Sequence, residues 1–239
     1  MFTSTERICN HTFVPRLINA DSIVLDLGAN RGEFSHGIIE RFGCRVVSAE
    51  PIRELCDQIR RDPLLQLHAI AVGGRNQNVA MTVFSERCEC ATVLSPETTA
   101  ESLTTRSIPM VTLAEFRRLA LADQVDLLKV DIEGAEIELF SACDNDELRD
   151  VMQITVEFHD FAYRDLHDSV LQIFDRMVDI GFWVVPCSLD NSDVLFINRK
   201  TGISMAEIIY LRSIVRYGRG LRRRLRRSAK GTGSLAEKH

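Results

Sequence analysis

Six side chains able to take, give or hold a proton follow apolar runs in this chain: Asp26, Glu50, Asp131, Glu133, Glu157 and His159. The runs before them, such as Val24-Leu25, Val46-Val47 and Leu127-Leu128, have the length of buried strands. If those strands lie parallel in one sheet, all six groups gather at its carboxyl edge, where open α/β sheets bind their ligands. Crowded carboxylates repel one another, so some should have raised pKa values or share a cation. Asp131, Glu133, Glu157 and His159 are the candidate catalytic groups. A carboxylate of raised pKa, or a neutral imidazole, is suited to removing a hydroxyl proton, and geometry makes Asp131 the first choice. Acids near a helix start also favour its dipole with no catalytic role, a second reading for Asp131 and Glu133. Glu136 lies further into that helix and reads as structural.

The segment Val24-Leu25-Asp26-Leu27-Gly28-Ala29-Asn30-Arg31-Gly32 selects the ligand. A strand ends in an acid, and a glycine turn opens into a helix. A dinucleotide would set its pyrophosphate at that helix N-terminus, where the Asp26 carboxylate is a poor neighbour. The turn also reads Gly-x-Asn-x-Gly rather than Gly-x-Gly-x-x-Gly. S-adenosylmethionine carries an ammonium and a sulfonium and no phosphate, so an acid at the tip of the first strand suits it. Glu50, closing the next strand before Pro51, can accept hydrogen bonds from both ribose hydroxyls.

Around these groups the sequence predicts alternating strands and helices. The strands are Ile23–Leu27, Arg45–Ala49, Leu67–Val72, Val125–Val130 and Gln153–Glu157. The helices are Gly32 to Phe42, Ile52–Arg61, Thr112 to Leu121 with Glu115 in a capping box, Asp131 to Ala142, and Leu166 to Ile180. A closing hairpin pairs Phe182–Val185 with Val194–Asn198. Val79–Ser85 and Ala91–Leu94 read as a second hairpin, and residues 95–107 as a binding loop. A short helix is expected near Val14 to Ile18. The pattern is that of an α/β, doubly wound, mostly parallel sheet. The division is an N-terminal segment, 1–21, a main domain, 22–200, and a basic C-terminal extension, 201–239, partly disordered.

The 239 residues suffice for one such domain with a substantial core. No apolar run is long enough for a membrane span, and the start lacks the features of a signal peptide. A cytoplasmic location is the default expectation. Among seven cysteines, Cys44, Cys56, Cys143 and Cys187 read as buried thiols. Cys88-Glu89-Cys90 is a weak zinc signal. The net charge is −5, yet residues 211–239 carry +9, leaving −14 on the other 210. The arginine-rich tail marks an electrostatic partner, with an anionic membrane surface ahead of nucleic acid.

The chain resembles the FkbM family of S-adenosylmethionine-dependent methyltransferases. The resemblance spans about 22–200. It rests on Leu25 to Gly32, Ala49-Glu50-Pro51, Val156-Glu157-Phe158-His159, and above all Leu127-Leu128-Lys129-Val130-Asp131-Ile132-Glu133-Gly134-Ala135-Glu136. It implies a class I methyltransferase (Rossmann-like) fold of seven strands, the last antiparallel, and O-methylation of a sugar or polyketide hydroxyl. It places Asp26, Gly28, Asn30 and Gly32 by the methionine part of S-adenosylmethionine, Glu50 at the ribose, and Ala71 and Val72 by the adenine.

The expected partner is a hydroxylated small molecule or glycan acceptor. A sugar of a glycan or glycolipid precursor comes first and a polyketide or similar natural product second. A non-catalytic S-adenosylmethionine-binding module is the alternative of a different class. Asp26 and the missing third glycine disfavour a NAD-dependent dehydrogenase. An amine-directed nucleic-acid methyltransferase would carry an Asn/Asp-Pro-Pro-aromatic turn where this chain has Asp131-Ile132-Glu133-Gly134. An acidic crevice also repels phosphate backbones. No metal is assigned, and a divalent ion shared by Asp131, Glu133, Glu157 or His159 is the alternative.

Overall fold

The computed structural model describes residues 3–84, 103–159 and 166–213. In chain order the elements are β1 (Glu6–Ile8), β2 (His11–Phe13), β3 (Ile23–Leu27), α1 (Glu33–Phe42), β4 (Arg45–Ala49), α2 (Arg53–Cys56), β5 (Leu65–His68), β6 (Ala71–Val72), β7 (Gln77–Phe84), β8 (Leu103–Val111), α3 (Leu113–Ala120), β9 (Leu127–Val130), α4 (Glu136–Ala142), α5 (Asn145–Arg149), β10 (Gln153–Val156), α6 (His167–Asp179), β11 (Phe182–Pro186) and β12 (Val194–Asn198).

Seven strands form one sheet in the order β11-β12-β10-β9-β3-β4-β5. All run parallel except β12, which is antiparallel to both β10 and β11. This is the doubly wound seven-stranded sheet that the resemblance implies. Strand order reverses between β3 and β9, so the crevice for a ligand opens at their carboxyl ends. Both strands are apolar nearly throughout, as parallel strands covered on two faces must be. Leu25 and Leu27 face one layer, with Phe116, Phe140 and Phe158. Val24, one residue out of phase, faces the other, with Phe34 and Ile38 of α1.

The helix signals act as expected. Thr112 caps α3 by accepting from the Glu115 N–H at 3.3 Å. Gly43 ends α1 in the left-handed region at φ 66°, its N–H bonded to the Ile39 carbonyl. In α6 the buried Val170, Ile173 and Met177 recur at helical spacing on one face.

Several expectations need correction. The strand expected over Leu67–Val72 is two strands. A tight turn, with the Ile70 N–H on the His68 carbonyl at 3.0 Å, breaks it. β5 stays in the main sheet, while β6 joins β8 and β7 in a separate three-stranded sheet. β7 pairs antiparallel with β8, so residues 103–107 are strand, not loop. Ile108 and Met110 alternate inward there, and the Ser/Thr-rich start of the strand hid that period. The rest of the expected loop, Ala91–Leu94 and the Cys88/Cys90 pair lie outside the described residues. α2 is a single turn rather than a helix to Arg61. Residues 131–135 form a turn ahead of α4 instead of its first helical residues. α5 was not anticipated.

The ends of the chain also differ. Residues 6–13 are a hairpin, and Pro15–Leu17 is one 3-10 turn where a helix was expected. Residues 205–213 are helical and belong to the packed structure. Ile208 and Leu211 are buried with Val14, Val185, Leu195 and Ile197. Residues 214–239, with seven of the eight arginines of the tail, lie outside the described residues. No helix among the described residues is long and apolar enough to cross a membrane.

Candidate active site

The turn after β3 is fixed by backbone bonds before any side chain takes part. The N–H groups of Gly28 and Ala29 both reach the Ala49 carbonyl, at 2.9 and 3.0 Å. Gly28 has φ 81°, and a Cβ there would stand 1.8 Å from the Asp131 carbonyl oxygen. Only glycine lets the β3 and β9 loops touch in this way. Asn30 is left-handed too, at φ 51°.

That turn presents its N–H groups to the next strand. Glu50, 4% exposed, accepts from Asn30 N at 2.8 Å and from Ile52 N at 2.8 Å. Burial outweighs those bonds and raises its pKa to about 7. Glu50 stands in the wall of an open cavity of about 650 Å³, together with Gly28, Asn30, Ala71 and Val72. Ile52, Leu55, Met81 and Met110 supply apolar wall. The two methionines come from β7 and β8, and neither was expected in the site.

Two expected cofactor residues sit elsewhere. Asp26 is fully buried and does not reach the cavity wall. Ser35 donates to its Oδ2 at 2.6 Å, and Lys129 Nζ lies 3.2 Å from Oδ1. Its charge is therefore met inside the protein, and the expectation that it faces a ligand ammonium is corrected to a supporting role. Gly32 is also outside the wall. At φ 76° it is the N-cap of α1, packed against Ile59.

Lys129 links the two halves of the site. It is buried in the middle of β9, in register beside Asp26. Its ammonium reaches Asp26, Asp131 at 3.6 Å, and the Gly28 carbonyl at 2.5 Å. Burial would lower its pKa, but the two aspartates outweigh that and raise it. The sequence did carry this signal: a lysine inside an apolar strand needs a buried acid.

The opposite half is acidic. Asp131 and Glu133 line the same cavity, whereas Glu157 and His159 do not reach its wall. For Asp131, burial is outweighed by Lys129 and His11, and the carboxyl is held well below the usual range. That favours the ionised carboxylate, a weaker base than one of raised pKa. Burial, then repulsion from Asp131, raises Glu157 to about 7 and also raises Glu133. His159 has Nδ1 3.1 Å from Glu136 and Nε2 3.5 Å from Glu133. Burial opposes its charge, but these acids push it up to about 9. That direction favours the imidazolium over the neutral ring at neutral pH. Glu136 is buried and also accepts from the Ile132 and Gly134 N–H groups, holding the turn. Within that turn Glu133 has φ 54°, a strained position for a residue with a side chain.

His11 was not anticipated at all. It comes from β2, is 1% exposed, and sets Nε2 3.4 Å from Asp131 Oδ2. Nothing local in the sequence joins residues 120 positions apart. Among the described residues two groups could hold a metal ion, His11/Asp131/Glu157 and Asp131/Glu133/His159, each with ligand atoms within 4.8 Å of one another.

The model of the methyltransferase FkbM domain matches residues 26–182. No curated protein matches the chain. Among solved structures, the precorrin-6y C5,15-methyltransferase of Geobacter metallireducens is 12% identical, with 75% of this chain and 80% of that one covered and a TM-score of 0.38. A chain from a fibrillarin/Nop5p complex is 11% identical, with 76% and 73% covered and a TM-score of 0.39.

Proposed function

The chain belongs to the FkbM methyltransferase family, and from that premise we propose that it transfers a methyl group from S-adenosylmethionine to a hydroxyl, foremost on a sugar of a glycan or glycolipid precursor. One observation carries the reading: a single cavity has an apolar half around Glu50 and an acidic half at Asp131 and Glu133.

The cavity residues fit the cofactor. Glu50 has both oxygens on backbone N–H groups yet keeps a raised pKa, so it gains from further donors such as a ribose diol. The apolar wall at Ala71, Val72, Met81 and Met110 suits an adenine. Bound there, the cofactor would supply an activated methyl on its sulfonium for transfer to the acceptor oxygen, with the sulfur keeping the electron pair of the broken C–S bond.

The chain must align the acceptor and take its proton. Glu133 is the residue for that proton, because it lines the cavity and is held by a strained turn. Asp131 remains anionic and accepts hydrogen bonds from the acceptor hydroxyls. A wall of carboxylates favours a neutral, hydroxyl-rich acceptor over a phosphate backbone. The arginine-rich run beyond residue 213 would keep such an enzyme near an anionic membrane, where lipid-linked sugars are found.

The test is calorimetric titration with S-adenosylhomocysteine, with NADH as control. Micromolar binding of the first alone, weakened in Glu50→Ala, supports the cofactor site. Methyl transfer from labelled S-adenosylmethionine to a panel of sugars and glycolipids then tests the acceptor. Binding of NADH alone sinks the reading. Binding with no transfer to any hydroxylated acceptor would favour a non-catalytic module.

A further inference from the structure

We propose that His11, Asp131 and Glu157 form a binding site for a divalent cation of the Mn²⁺ or Mg²⁺ type.

The three ligands come from β2 and from the carboxyl ends of β9 and β10. His11 lies outside the segment that the family model matches. The hairpin that carries it is clamped without help from Asp131. Thr12 donates to both oxygens of the buried Asp193, at 3.1 Å from N and 2.6 Å from Oγ1. Val14 N donates to Gln153 Oε1 at 2.8 Å, and Gln153 Nε2 returns a bond to the Val14 carbonyl at 3.2 Å. The imidazole is thus brought beneath the acids by independent buried contacts.

Its orientation leaves one nitrogen for a ligand. Nδ1 faces Thr155 Oγ1 at 3.4 Å, and the ring packs edge-on against Phe34. Nε2 points to Asp131 at 3.4 Å, long for a charge-assisted hydrogen bond, which is about 2.7–2.9 Å. Ligands held by one ion at about 2.1 Å stand roughly 3 Å apart when adjacent and about 4.2 Å apart when opposite. The separations in this triad, all within 4.8 Å, need only a small contraction to reach those values.

Lys129 is shared between two aspartates, and Glu157 has no ion pair among the described residues. Lys129 is nearer to Asp26, at 3.2 Å, than to Asp131, at 3.6 Å. Among the described residues no hydrogen bond reaches the Glu157 side chain. The second triad differs, because His159 directs Nδ1 to Glu136 and Nε2 to Glu133 and is already an ion-pair cluster. Two carboxylates, one imidazole and no thiolate make a mostly oxygen donor set of the kind that Mn²⁺ and Mg²⁺ take. Asp131 is also in the cavity wall, so an ion on it would have a coordination position turned to an acceptor hydroxyl. That use rests on the methyl-transfer reading; the binding itself does not.

The experiment is titration of Mn²⁺ into the full chain after chelator treatment, with the unbound ion followed by electron paramagnetic resonance. One site per chain is expected, weakened about tenfold or more in His11→Ala and in Glu157→Gln. S-adenosylhomocysteine affinity, measured on the same samples, should stay within about twofold and reports on folding and on the cofactor reading separately. Should His11→Ala not fold, Glu157→Gln carries the test, because Glu157 belongs to this triad and not to the other. Absence of any site tighter than millimolar overturns the proposal. So does a site that survives His11→Ala but is lost in His159→Ala, since the ion would then sit on the other triad.

Discussion

The two halves of the cavity are built in opposite ways. The polar part of the Glu50 half is local: Gly28, Asn30 and Glu50 lie within one strand–helix–strand unit, and turn N–H groups reach the Ala49 carbonyl and the Glu50 carboxylate across 20 residues or so. The acidic half is an assembly at a distance: Asp131 and Glu133 in the wall and His11, Glu157 and His159 around them come from three separate stretches of chain. A local half can be recognised from a motif, because the turn chemistry that forms it is written consecutively. A distant half depends on the whole sheet closing. Its electrostatics are collective, so the role of any one acid cannot be read from its own neighbours in sequence.

The largest effect should come from the residue that joins the halves. Lys129→Met leaves the fully buried Asp26 without its counter-charge and should cost about 3–5 kcal/mol in urea unfolding. The pair Asp26→Asn with Lys129→Met should recover part of that loss. A cost under about 1 kcal/mol for Lys129→Met would mean that Asp26 answers to a ligand after all, and the two halves would be less separate than drawn here.

Next is a change confined to the acidic half. Glu133→Gln should slow methyl transfer by about 10²–10⁴-fold and leave S-adenosylhomocysteine affinity within about twofold. An equal loss in both would show that the halves act as one.

Glu50 offers the converse. Below its pKa of about 7 the carboxyl is protonated and accepts fewer hydrogen bonds; above it, the carboxylate meets the ribose hydroxyls. S-adenosylhomocysteine affinity should therefore rise from pH 6 to pH 8, with protons released on binding, as titrations in buffers of different ionisation heat would show. Glu50→Gln should bind roughly tenfold more weakly and with a flat pH profile. The smallest effect on either half is expected from removing residues 214–239. Pelleting with anionic liposomes should be lost while S-adenosylhomocysteine affinity is unchanged, and equal pelleting with and without these residues would remove the membrane role.

The same contrast explains what was legible beforehand. The main sheet strands, α1, α3, α6 and the closing hairpin follow from apolar period and cap residues, because burial imposes that period locally. The break between β5 and β6 escaped notice because Leu67 to Val72 is apolar on both sides of a turn that only the Ile70–His68 bond reveals. In the site, Gly28, Asn30, Glu50, Ala71 and Val72 do line the cavity. Asp26 was misplaced because a strand-end acid looks alike whether it faces a ligand or a buried lysine. The basicity of Asp131 and of His159 was not legible for a similar reason: it depends on Lys129, His11 and Glu136, whose positions the sequence order does not disclose.

The clamp at Asp193 bears on where this protein can be cut. The recognisable domain begins at Asp26, and a shortened version for expression would naturally start just before β3. Such a truncation would strip Thr12 and Arg7 from a carboxylate with no exposure, take Val14 from Gln153, and uncover the apolar surface that Phe13 and Val14 cover. The smallest piece that folds is therefore expected to begin upstream of the smallest piece that can be recognised. The boundary of a family and the boundary of a stable body are different lines on this chain.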